Sequence, residues 1–275
     1  MATSTQWQLT RETAERYEQI LVPAILGPAA QALVDWADVQ PGETALDVGC
    51  GTGAATRAAA EQVGPTGRAI GLDVNAAMID VARSLPPIAG AAIEWHVHSA
   101  YQLPLDNQTV DVVLCAQVLQ FLNDRPSAIA EMARVLKPSG RVAVSLWCEL
   151  HKNPYMHAVA EAIARHIGEE TAAALRAAFG FSRATDIRSL LAAAGFRSIK
   201  MDIRQLDLDL PPLQEFVPSY MSATPMAASF SAASKDARAS VIQEVAERLA
   251  RYTTATGVRV PFRTHLAMAT QGSAS

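Results

Sequence analysis

Between residues 45 and 53 the chain reads Ala45-Leu46-Asp47-Val48-Gly49-Cys50-Gly51-Thr52-Gly53. An apolar run ends in an acid, glycines fall at every second position, and a helix-favouring, Ala-rich run follows from Ala54 to Gln62. That order predicts a buried strand, a tight turn and the start of a helix. Glycines in the turn permit positive φ and let a ligand approach the main chain closely. The helix start adds free N–H groups and a partial positive charge, which suit an anionic group.

Two nucleotide-binding readings compete for this turn. The dinucleotide fingerprint is G-x-G-x-x-G, with an acid about 20 residues further on. Here the spacing is D-x-G-x-G-x-G, with Asp47 two residues ahead of the first glycine. An acid there suits a ligand that carries a cation, such as an α-amino group, better than a pyrophosphate. A ligand with an adenosine end and an amino-acid end fits the turn better than NAD. An NAD-type dehydrogenase is disfavoured further because the chain lacks a second nucleotide-shaped half.

The run Asp47 to Gly53 resembles motif I of the class I S-adenosyl-L-methionine (SAM)-dependent methyltransferases, in particular the small-molecule subfamily with the ubiquinone/menaquinone-type C-methyltransferases. The resemblance extends from about Thr10 to about Trp147 and more loosely beyond. It implies an α/β, Rossmann-like, seven-stranded sheet, mostly parallel with strand seven antiparallel, helices on both faces and a helical lid. Residues 1–40 would form an N-terminal helical cap and 41–150 the SAM-binding core. Residues 151–275 would complete the core, with the lid inserted at about 211–252.

Several later segments carry the resemblance further. Asp73 ends the predicted strand 68–73, where an acid accepts both ribose hydroxyls. On that basis Asp73→Ala is expected to remove cofactor binding with little loss of fold. Val74 and Met78 match residues that pack around the adenine ring, and Asn75 is a helix cap. His98-Ser99-Ala100 resembles a Gly-Asp-Ala segment whose acid accepts from the adenine amino group, and Ser99 stands in its place. His96 and His98 read as structural. The loop after strand four touches the methionine part of SAM in the family and borders the acceptor pocket, which puts Gln117 and Gln120 nearest that pocket, although helix capping is an alternative for Gln120. The cofactor set implied is Asp47, Gly49, Cys50, Gly51, Gly53, Asp73, Val74, Met78, Ser99, Ala100 and Gln117.

The remaining elements follow from pattern. Helices are expected over 10–26, with Thr10 as N-cap, over 29–37 after a Gly27-Pro28 break, over 128–136, and over 237–252. Strands are expected at 92–97, 110–115, 141–146, 198–206 and 258–270, with Lys137-Pro138-Ser139-Gly140 a turn ahead of the 141–146 strand. Phe216, Tyr220, Met221, Met226 and Phe230 read equally as an adaptable acceptor pocket and as plugs holding the lid on the core. Asn153-Pro154-Tyr155 follows the wrong strand and lacks the second proline of the amino-methylating box, so it carries no weight.

Methyl transfer depends on alignment, and a general base is needed only for a hydroxyl or an acidic carbon. His151, just past strand five, and Tyr17 are weak candidates for that role, and catalysis by positioning alone stands beside them. Tyr17 reads equally as a core tyrosine. No acid cluster after strand four would hold magnesium, so no metal is expected. The function expected is transfer of a methyl group from SAM, with S-adenosyl-L-homocysteine (SAH) as product, to a small apolar or aromatic acceptor. The alternative is a SAM-binding protein of the same fold in a non-methylating or regulatory role.

Composition bounds the rest. A net charge of −4 and a pI near 5.9 argue against nucleic acid as an obligatory partner. The cysteines at 50, 115 and 148 lack C-x-x-C spacing, which argues against a disulfide framework and for a reducing, cytoplasmic location. Residues 1–9 show no signal-peptide pattern, and no apolar run approaches the roughly 18 residues that span a bilayer, so no membrane insertion is expected.

Overall fold

The computed structural model describes residues 8–272; the first seven residues of the polar opening segment lie outside the described residues. The chain builds an α/β fold around a seven-stranded sheet in the order β3-β2-β1-β4-β5-β7-β6. The strands are β1 (Thr44–Val48), β2 (Arg68–Asp73), β3 (Ile93–Val97), β4 (Val110–Ala116), β5 (Leu136–Trp147), β6 (Arg197–Leu210) and β7 (Val258–Thr270). Pairing is parallel from β3 through β5, and β7 runs antiparallel to both β5 and β6. The order reverses between β1 and β4, and ligands of open α/β sheets bind at the carboxyl ends of strands beside such a switch.

Helices cover both faces because the central strands are apolar throughout. Leu46, Val48, Val113, Leu114 and Val142 are all buried, as strands sandwiched between two helical layers require. The helices packed around the sheet are α1 (Arg11–Arg16), α2 (Gly27–Trp36), α3 (Ala54–Val63), α4 (Ala76–Ser84), α5 (Arg125–Val135), α6 (Pro154–His166), α7 (Glu169–Ala177) and α8 (Ala184–Ala193). Three more, α9 (Leu213–Ser222), α10 (Ala227–Ala232) and α11 (Lys235–Arg248), lie between β6 and β7 in sequence. The last of these stops before the expected end at 252, where a 3-10 turn over Ala250–Tyr252 replaces it.

The N-terminal helix departs from expectation. Thr10 caps it, its hydroxyl accepting from the Thr13 N–H. From Tyr17 to Leu26 the winding widens into a π-helix, and α2 follows without a break. Pro23 sits inside the wide segment, and Pro28 takes the first turn of α2, where no N–H is needed. The Gly27 N–H donates five residues back to the Val22 carbonyl. A Cβ at Gly27 would lie 2.8 Å from that oxygen, which explains the glycine.

Strand five also differs, starting at Leu136 rather than Arg141. Leu136 pairs with Val110 and Arg141 with Val112, so residues 137–140 bulge out of the ladder instead of ending it. Lys137 Nζ holds both Asp111 carboxylate oxygens at 2.8 Å and pins the bulge. Strand six runs on to Leu210 because β7 offers it partners to Val258.

The segment between β6 and β7 answers the question left open about its large side chains. Phe216, Tyr220 and Phe262 surround Tyr155, with ring centroids 5.5, 5.5 and 6.2 Å away. Phe216, Met221 and Phe230 are buried core, whereas Tyr220 and Met226 reach the cavity described below.

One long-range clasp ties the base of the sheet together. The Arg141 guanidinium pairs with both Glu43 carboxylate oxygens (2.7 and 2.8 Å) and donates to the carbonyls of Ala37 and Asp38. Both side chains are largely buried. Arg141→Met should cost about 2–3 kcal/mol, since Glu43 and two carbonyls lose their donors together. Chemical denaturation checks this, and a loss under about 0.5 kcal/mol, the scale of exposed pairs, would mean that water replaces the clasp.

Candidate functional site

At the carboxyl ends of β1, β2, β4 and β5 lies a cavity of about 370 Å³. The glycine turn forms its floor, and the turn is tied inward. The Gly49 and Cys50 amides both donate to the Leu72 carbonyl (2.7 and 2.9 Å), and Gly53 donates to the Cys50 carbonyl at 2.9 Å. The Gly51 amide donates to Asp73 Oδ2 at 2.9 Å. The expectation of free amides waiting for an anion therefore fails at these four positions, because their donors are already committed to β2 and to the turn itself.

Asp73 does two jobs at once. Its Oδ1 accepts from the Asn75 amide at 2.8 Å, and Asn75 in turn caps α4 through the Ala77 amide. The Val74 amide adds to these bonds, and the carboxylate still borders the cavity. Burial pushes its pKa up against the opposing pull of the backbone bonds. Asp73 is thus an anchor of the turn as well as a cavity acid, which corrects the expectation that its loss would spare the fold.

Asp47 is 1% exposed. Its Oδ2 accepts from Thr56 Oγ1 at 2.7 Å, while Oδ1 is buried with no partner. Burial raises its pKa to about 7, with the Thr56 bonds opposing the effect and the Asp73 charge adding to it. Cys50 forms a weak contact from Sγ to the Gly51 carbonyl, and burial, then Asp47 and Asp73, push its thiol well up, so it stays protonated.

The glycines serve different ends. Gly51 (φ +56°) leaves room for Tyr17, whose hydroxyl would lie 3.5 Å from a Cβ there. Gly53 (φ +94°) does not line the cavity. A Cβ on it would meet Trp95 at 2.3 Å, so this glycine seats an indole beneath the turn.

Asp47, Gly49, Cys50, Gly51, Asp73, Val74, Met78, Ser99, Ala100 and Gln117 all line the cavity, and Gly53 alone of the expected cofactor set stands behind it. Val74 is exposed and Met78 buried. Ser99 Oγ accepts from the Tyr101 amide at 3.2 Å. Gln117 sits at φ +57°. Both ends of its amide are bound, Oε1 by the Trp147 N–H at 2.9 Å and Nε2 to Thr264 Oγ1 at 3.1 Å. The loop after β4 is thereby bolted to β5 and β7.

The two expected base candidates part company. Tyr17 lines the cavity against the glycine turn, and burial, then the Asp73 charge, push its phenol up, so it keeps its proton there. His151 is exposed on a 3-10 turn (Leu150–Lys152) and lines nothing. Asn153 is the cause. Its Oδ1 accepts from the Arg263 amide at 2.8 Å and its Nδ2 donates to the Cys148 carbonyl, folding the chain after β5 back onto β7 and leaving His151 outside.

His98, read from sequence as structural, belongs to the cavity wall, and its Nδ1 is buried without a partner. β3 ends at Val97, so the available signal was its place one residue past the strand, directly ahead of Ser99. Outside the cavity, donor atoms of Cys148, Glu149 and His265 lie within 4.8 Å of one another. Two of the three have other partners: Lys152 Nζ sits 2.8 Å from Glu149 Oε2, and His265 Nε2 meets the Ser182 carbonyl at 2.8 Å.

What the cavity offers a ligand is thus mostly acceptors. Two carboxylates line it, and no Lys or Arg does so among the described residues. Such a floor repels a pyrophosphate and attracts an ammonium, a sulfonium and sugar hydroxyls.

Because the folded Asp47 carboxyl titrates near 7 rather than 3.8, the folded state holds an extra proton between those values. Stability from this group therefore falls as pH rises through that window and levels off above it. Thermal denaturation across the window should show a steeper fall in the native chain than in Asp47→Asn; parallel profiles would assign the titration to another group. Asp73→Asn, which deprives one backbone amide of its acceptor, should cost about 1–3 kcal/mol in the same assay.

Comparison with known proteins agrees with this geometry. Residues 46–144 match the family model described as a methyltransferase domain. Over 114 residues the chain is 40% identical to a 2-phytyl-1,4-naphtoquinone methyltransferase of Thermosynechococcus vestitus, covering 42% of this chain and 50% of that protein. Over 108 residues it is 41% identical to a ubiquinone/menaquinone biosynthesis C-methyltransferase of Burkholderia vietnamiensis, covering 39% and 44%. The matched part therefore spans about half the length of these relatives. Among solved structures, a phosphoethanolamine N-methyltransferase 2 of Haemonchus contortus in complex with SAM superimposes with a TM-score of 0.60 at 17% identity, covering 99% of this chain and 60% of that one. Residues 46–144 thus match a methyltransferase-domain model, within a chain whose seven-stranded α/β sheet is the Rossmann-like fold seen in methyltransferases.

Proposed function

We propose that the chain methylates a small, apolar acceptor with SAM as methyl donor. The observation that carries this reading is the cavity floor, two carboxylates with no Lys or Arg beside them among the described residues, under a wall that is largely apolar. Bound SAM would supply a methyl group on a cationic sulfur, delivered by in-line displacement. Asp73 would accept the ribose hydroxyls, and Asp47 Oδ1 would take the α-ammonium. Val74 and Met78 would pack on the base, with Ser99, Ala100 and His98 at its edge. Tyr17 would cover the turn from above.

The acceptor lobe is walled by Leu21, Ile25, Trp147, Met156, Phe179 and Tyr220. Those walls exclude water, and proximity between two confined reactants supplies much of a methyl transfer's rate. Burial pushes the Tyr220 phenol up, and its hydroxyl donates to Met156 Sδ at 3.3 Å. Tyr17 likewise keeps its proton. The chain's own part in the reaction is therefore to position and desolvate, with proton removal left to the acceptor's own acidity. Residues 11–36 and 211–252 would act together as the cover over this lobe.

Calorimetric titration tests the cofactor assignment. The protein should bind SAH and give no heat with NADH; the reverse result would overturn the reading. Because the ammonium favours ionised Asp47, binding should release protons below about pH 7 and tighten as pH rises toward that value. A binding enthalpy independent of the buffer's ionisation heat at about pH 6 would remove Asp47 from the ammonium site.

A further inference from the structure

One polar group on the acceptor side is left without a task. Gln120 is 8% exposed and lines the cavity, yet its Oε1 is buried with no hydrogen-bond partner. Which end of this amide is free follows from a chain of donors that begins on the backbone. The Trp147 N–H can only donate, and it donates to Gln117 Oε1. At the other end of Gln117, Thr264 Oγ1 directs its own proton to backbone carbonyls, that of Leu146 at 3.0 Å, and so accepts from Gln117 Nε2. Gln117 is thereby fixed with its oxygen toward Gln120. The Gln120 atom that meets it, 3.4 Å away, is the nitrogen Nε2. The carbonyl oxygen of Gln120 is the end left over.

A buried acceptor left unmet is costly, and a bound molecule that brings a donor removes the cost. The neighbouring wall, with Trp147, Met156 and Met226, suits a flat apolar body. We propose that Gln120 Oε1 reads a hydroxyl on the methyl acceptor, so that the acceptor is an apolar ring compound carrying an O–H. The inference rests on the reading of this cavity as a methyl-transfer site. A carboxamide takes no proton at neutral pH, so Gln120 selects and orients the acceptor without deprotonating it. Sites built around such a bond reject the analogue that lacks the donor.

The test uses 1-naphthol and 1-methoxynaphthalene, titrated separately into protein saturated with SAH. Naphthol should bind about tenfold more tightly, the worth of about one hydrogen bond to a buried acceptor. In Gln120→Met that preference should vanish through weaker naphthol binding, with SAH affinity and melting temperature unchanged. Equal affinities in the native chain overturn the proposal without recourse to any variant, and a preference that survives in Gln120→Met does the same. Failure of both naphthalenes to bind the SAH-saturated protein overturns the assignment of an apolar ring acceptor. Failure to bind SAH in the first place overturns the underlying cofactor reading instead.

Discussion

The carboxylate of Asp73 is the point on which the site depends. One oxygen holds the Gly51 amide and the other the Asn75 amide, so a single side chain joins the turn after β1 to the start of α4. Without it, the Gly51 end of the turn would lose its tie to β2, and Asn75 one of the bonds that place it to cap its helix. The same group borders the cavity. Structure and recognition are thus carried by one residue, which is economical and leaves little tolerance for substitution. Asp47 is arranged differently, with one oxygen bound and one idle, so its environment changes with whatever ligand arrives.

Much of the core was legible from local chemistry. The boundaries of β2 and β7 matched the expected ones, and the caps at Thr10 and Asn75 stood where short polar side chains precede helical runs. These are decisions made within a few residues, and sequence displays them. The seven strands with the last antiparallel were legible through resemblance rather than through pattern.

What escaped the sequence was decided at long range. Whether residues 137–140 end a helix or bulge from a strand depends on Lys137 meeting Asp111 across the sheet. His151 sits in a promising place along the chain, but Asn153 binds β7 and turns that segment away. Gly53 looks like its neighbours in the motif until Trp95, on another strand, is seen beneath it. His98 and Gln120 acquire meaning only from partners they lack. A hydrogen-bonding deficit has no signature in composition or spacing.

The wide winding between Tyr17 and Leu26 has a consequence for the shape of the cavity. Tyr17, Leu21, Ile25 and Ala29 all line it, four residues apart. On an ordinary α-helix each such step turns about 40° past a full circle, so the last of the four would point well away from the first. A π-helix needs more residues per turn, so between Tyr17 and Ile25 the same spacing falls short of a full circle, and the α-helical step on to Ala29 turns back the other way. The four side chains therefore stay along one wall of the cavity, from the tyrosine at the glycine turn onward. Reach along that wall is a property of helical pitch, and a change that tightened the winding by a single residue would shorten the pocket without altering any side chain in it.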